Sequence, residues 1–97
     1  MKFVQIIEYS TARPEEAQAA LDKWLAATQG KRANSHGMTT LDRDRPNTYV
    51  NIVEFPSYEA AMKNSEMPET QALAEAMQKI ADGPPIFRNL DVQFEQA

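Results

Sequence analysis

The chain has 97 residues, of which 42% are apolar and 25% charged, enough for one hydrophobic core and too few for two, so a single domain spanning 1–97 is expected. Ten Lys and Arg against fourteen Asp and Glu leave a net charge of -4, the wrong sign for a surface that must displace counterions from nucleic acid. The absence of cysteine excludes disulfides, thiolate metal sites and cysteine nucleophiles, and fits a cytoplasmic protein.

Lys2 to Tyr9 reads as a first strand, with Phe3, Gln5, Ile7 and Tyr9 on one face and Val4, Ile6 and Glu8 on the other. Its apolar run is too short and too polar for a signal peptide or a membrane span, so no membrane partner is expected. Both faces are largely apolar, which predicts cover on both sides: helices of this chain on one, something else on the other. A domain of this size buries only roughly 60 to 70% of its unfolded surface. A homodimer interface on the second face would therefore stabilise it appreciably.

Pro14 suits the first position of a helix, Glu15 and Glu16 complement its N-terminus, and Ala17, Leu21, Trp24, Leu25 and Thr28 recur at helical spacing up to about Gln29. Gly30 can end that helix in the left-handed region. Asn34 to Asp42 is a weaker strand at a sheet edge, followed by the turn Arg43 to Asn47 and a strong strand from Thr48 to Phe55. Ser57 can cap a short helix that buries Tyr58, Ala61 and Met62, and Pro68 interrupts it. A further helix from Glu69 to about Ala81 carries Leu73, Ala76, Met77 and Ile80 on one stripe. Asp82-Gly83-Pro84-Pro85 ends it, and Ile86 to Glu95 alternates as the last strand.

Strand, helix, strand, strand, broken helix, strand is the split βαβ order of a ferredoxin-like α+β domain. It predicts an antiparallel sheet of order 4-1-3-2 with the helices on one face. The segment Tyr49-Val50-Asn51-Ile52-Val53-Glu54, running on to Glu59-Ala60-Ala61, resembles the corresponding strand and helix of the antibiotic biosynthesis monooxygenase family. That resemblance implies a dimeric α+β barrel, two such sheets packed face to face. It also implies a cofactor-independent oxygenase chemistry on a small aromatic or polyketide-like substrate held between sheet and helices.

Asn51 and Gln5 fall mid-strand, where an amide costs stability unless satisfied. Tyr9 and Tyr49 share their alternation faces, so these four could line a polar and aromatic cavity against Trp24 and Met62, or could simply bond to neighbouring structure. In the oxygenase reading Gln5, Tyr9, Trp24, Tyr49 and Met62 contact substrate, while His36 acts as base and Asn51 binds the reacting oxygen. His36, the sole imidazole, has the plainer alternative of an edge-strand residue facing water. One histidine, no cysteine and no glycine-rich nucleotide loop predict no metal, haem, flavin or other cofactor. Glu8 and Glu54, near opposite ends of antiparallel strands, are expected to be solvated or in interface salt bridges rather than a carboxylate pair for glycoside chemistry. The other reading of the whole chain is a noncatalytic small-molecule-binding or accessory dimer of the same fold.

Overall fold

The computed structural model describes residues 1–96. Its elements are β1 (Phe3–Ser10), α1 (Pro14–Ala27), β2 (His36–Leu41), β3 (Thr48–Phe55), α2 (Tyr58–Glu66), α3 (Pro68–Ile80) and β4 (Ile86–Asp91). The strands form one sheet in the order β2-β3-β1-β4, with every neighbouring pair antiparallel. This is the ferredoxin-like α+β arrangement that the order of elements predicts, and the sheet order is the expected 4-1-3-2.

Local chemistry sets the element ends. Pro14 and Pro68 each occupy a first-turn position, where the missing amide has no helical partner to lose. The Ser57 hydroxyl accepts the Ala60 amide at 3.1 Å and starts α2, while extended Met67 breaks the helix before Pro68. Gly30 has φ of 80°, the left-handed conformation anticipated after α1. The Arg32 guanidinium donates to the Leu25 carbonyl at 2.9 Å, satisfying one of the last carbonyls of α1 and placing a cation at its negative pole.

Three expectations shift. Tyr58 of α2 is exposed rather than buried, meeting the sheet through an edge contact with the Phe3 ring. The α1 stripe buries Ala17, Trp24 and Thr28, but Leu25 stays exposed because it lies at the edge of the apolar arc. The last strand stops at Asp91 rather than Glu95: Asp91 pairs with Phe3, the first residue of β1, so the ladder runs out of partner. Beyond it Val92 makes one more backbone bond, to Lys2, and Phe94 is left in solvent.

Phe3, Gln5, Ile7 and Tyr9 stand opposite Phe55, Val53, Asn51 and Tyr49, so these eight residues share the sheet face under the helices. Two small cores anchor the helices there. Phe3 and Phe55 pack on Ala61, and Tyr9 packs on Ala17 and Ile80. Between them the layers are held apart, and that gap positions the site. The other face carries Val4, Ile6, Val50, Ile52, Met38, Ile86 and Leu90, away from both helix-packed cores. Ion pairs stand at two of its corners: Glu8 with Arg45 and, at the opposite end of β1, Lys2 with Glu54 and Glu95.

Candidate functional site

The gap under α3 is a cavity of about 320 Å³. Its floor is Gln5, Ile7, Tyr9 and Asn51 of the two central strands, its roof is Leu73, Ala74, Met77 and Gln78 of α3, and Pro85 and Phe87 stand on the β4 side. A smaller space of about 130 Å³ lies toward α1 and β2, bounded by Ala17, Leu21, Thr39 and Tyr49. Tyr9, Asn51, Leu73 and Met77 line both, so Asn51 sits where the two chambers meet.

Period-two alternation explains the floor: Gln5 and Tyr9 flank Ile7, which is paired with Asn51, and Tyr49 stands across from Tyr9. The Tyr9 and Tyr49 rings stack at 5.7 Å between centroids with 18° between planes. Burial pushes the Tyr9 phenol above its ordinary pKa and Tyr49 adds to the rise, while a hydrogen bond with Asn51 opposes it. Tyr9 therefore keeps its proton at neutral pH and is available as a donor. Gln5 spends one amide hydrogen on Asn89 of β4 at 3.2 Å, which fixes its orientation. The Asn51 side-chain oxygen is buried without a protein partner.

The roof is tied at both ends, to the end of β1 at one and to α1 at the other. The Thr11 hydroxyl donates to the Ile80 carbonyl at 2.8 Å, and the Asp82 amide donates to the Ser10 carbonyl at 2.8 Å. At the other end of α3, the Trp24 indole donates to the Thr70 hydroxyl at 2.9 Å, and Thr70 lines the cavity.

Gln5, Tyr9 and Asn51 are thus brought to one chamber, with Tyr49 beside it. Three other candidates lie elsewhere. His36 pairs with Glu54, one residue out of phase with the Asn51 ladder, so alternation puts it on the opposite sheet face, exposed. The face it occupies cannot deliver a base to this cavity. Met62 packs on the Phe3, Phe55 and Ala61 core at the far end of the sheet. Trp24 lies between α1 and α3 under the Arg32 guanidinium, 5.7 Å from its ring centroid, and reaches the cavity only through Thr70. In the sequence the Leu73 and Met77 stripe reads as ordinary core, which hides the roof of the site. The signal available was that this stripe must lie over a floor carrying two amides.

Glu8 and Glu54 form ion pairs within the chain, with Arg45 at 2.9 Å and Lys2 at 3.2 Å, and are not a carboxylate pair. Among the described residues no three His, Cys, Asp or Glu gather in a metal-binding group, and no helix is long and apolar enough to cross a membrane.

Comparison of the structure with solved ones gives close matches over nearly the whole chain. A candidate antibiotic biosynthesis monooxygenase from Caulobacter crescentus superposes with a TM-score of 0.83 at 15% identity, covering 94% of this chain and 89% of that one. SnoaB, a cofactor-independent oxygenase from Streptomyces nogalater, gives 0.81 at 15% identity over 97% and 95%. The chain has the fold of the antibiotic biosynthesis monooxygenases. A conserved protein from Methanosarcina mazei matches as well, at 0.82 with 5% identity over 93% and 91%, so the monooxygenase fold spans chains that share almost no sequence. No protein-family model matches the sequence, and no curated protein does.

Proposed function

We propose that the chain is a cofactor-independent monooxygenase acting on a small aromatic or polyketide-like substrate in the chamber between sheet and α3. The observation that carries this reading is the placement of Gln5, Tyr9 and Asn51 around a hollow where a packed core would otherwise be. The fold of an oxygenase that needs no cofactor is compatible with it.

In this reaction a reduced ring carbon of the substrate, as a CH₂ group, becomes a carbonyl. The substrate passes an electron and a proton to O₂, and the resulting radical pair closes the new C–O bond as a hydroperoxide. Loss of water then leaves one oxygen atom as the carbonyl, the second departing with both hydrogens, so O₂ is the sole oxidant. The protein's part is orientation and the exclusion of water. Tyr9, protonated and stacked on Tyr49, donates to the substrate oxygen on which charge accumulates, and Asn51 hydrogen-bonds the peroxide as it forms. His36 is left out of these roles, since it lies across the sheet. The acidity of the substrate itself then sets the proton step.

The working unit in this proposal is a homodimer formed through the sheet face away from the helices, along the apolar stripe of Val4, Ile6, Val50 and Ile52. A noncatalytic binding dimer is the second reading, favoured by the absence of an ionisable base from the chamber lining. Oxygen uptake over a panel of reduced polycyclic phenols, with metal removed, separates the two. Turnover that falls roughly 10² to 10³-fold in Asn51→Ala supports the oxygenase. Binding without oxygen uptake by any panel member replaces it with the accessory dimer.

A further inference from the structure

The chamber residues share a property that the proposed reaction does not require. None of the side chains lining either chamber is Asp, Glu, Lys, Arg or His. Every polar group there is neutral: the amides of Gln5, Asn51, Gln71 and Gln78, and hydroxyls such as those of Tyr9 and Thr70. No cation of the neighbouring elements lines either chamber, and three of them are held in pairs. Lys31 pairs with Glu69 on the α1 side of α3, Arg13 with Glu16 and the Lys79 carbonyl, and Arg45 with Glu8 and Asp42 on the other sheet face. With a net charge of -4, the molecule as a whole also repels anions.

We infer that the site accepts its ligand only in an uncharged form and rejects carboxylates and phosphate-bearing conjugates of the same ring. An anion brought under α3 loses its hydration and meets no cation, whereas hydroxyl and carbonyl groups find amide and phenol partners. It follows that a carboxylated precursor must first be esterified or decarboxylated, and a carrier-bound one released, before this protein can use it. This inference rests on the chamber being the ligand site, as proposed above, and it holds whether or not the ligand is then oxidised.

The test compares binding of methyl 2-naphthoate and 2-naphthoic acid to the full chain at pH 7.5 by calorimetry, with methyl-group NMR of Leu73 and Met77 to locate the ligand. The ester is expected to bind and to shift those methyls, and the ionised acid to bind weaker by roughly 100-fold or more. Gln78→Arg, which sets a cation on the roof at a solvent-exposed position of α3, should narrow the gap at least tenfold, with Gln71→Arg as the alternative if the first variant melts early. Equal affinity of wild type for acid and ester overturns this inference alone. Failure of both compounds to bind overturns the chamber as ligand site and this inference with it. Ester binding that leaves the Leu73 and Met77 methyls unmoved does the same.

Discussion

Thr11→Val should destabilise the domain by about 2 to 3 kcal/mol, because its hydroxyl, fully buried, serves two backbone groups at once. It donates to the Ile80 carbonyl at 2.8 Å and accepts the Arg13 amide at 3.0 Å. Ile80 is the last residue of α3, so its carbonyl has no partner within the helix. Valine keeps the shape and leaves both groups unsatisfied, each at a cost of about 1 to 3 kcal/mol, partly offset by burying an extra methyl at about 0.8 kcal/mol. For a domain of this size the melting temperature should fall by roughly 10 to 20 °C, measured by calorimetry at one fixed protein concentration. Thr11→Ser keeps the hydroxyl and loses one methyl, about 1 kcal/mol. Hydrogen exchange should also quicken at the C-terminal turn of α3, loosening the roof of the chamber. A valine variant as stable as the serine variant would refute the assignment of Thr11 as the tie between β1 and α3.

Wild type should sediment as a dimer and Ile52→Lys, at the centre of the sheet face away from the helices, as a folded monomer; equal sedimentation coefficients sink the face-to-face dimer. His36→Ala should leave oxygen uptake within about twofold of wild type. A large loss of turnover in that variant would return His36 to the chemistry. The Arg45 guanidinium holds the Glu8 carboxyl below the usual range, and the Asp42 carboxyl is lowered first by the Asp44 amide and then by Arg45. Because these folded-state pKa values are depressed, their stabilisation is present above the unfolded carboxylate pKa and lost as pH falls through the folded one. Arg45→Met should therefore flatten the stability profile on the acid side and leave its slope above pH 7 unchanged, as read from urea midpoints across pH.

The fold was legible where one physical signal dominated. Pro14, Pro68, Ser57 and Gly30 mark helix ends through backbone constraints that neighbouring structure cannot overrule, and each stands where those constraints place it. Central strands apolar on both faces gave the layer order, since one face meets α1, α2 and α3 and the other lies away from both cores. The end of β4 was not legible. Alternation continues through Phe94, but a strand needs a partner, and the length of β1 is not written in the residues of β4.

The site divides along the same line. Gln5, Tyr9, Tyr49 and Asn51 were recoverable together because period-two alternation, combined with antiparallel pairing, fixes their common face once any one of them is placed. His36 needed the register of an edge strand reached through a loop of several residues, and a shift of one residue there exchanges chamber for outer face. Trp24 and Met62 failed for another reason. Helical periodicity identifies the buried stripe of a helix but carries no information on how far along the sheet that stripe lies. Met62 goes to the Phe3 core, Trp24 goes between the helices, and Leu73 and Met77 take the place over Asn51. An apolar residue therefore becomes a cavity wall only when the layer opposite fails to meet it. Here that failure follows from the two cores, which hold the helices near both ends of the central strands and leave the middle of the sheet, with its two amides, unfilled.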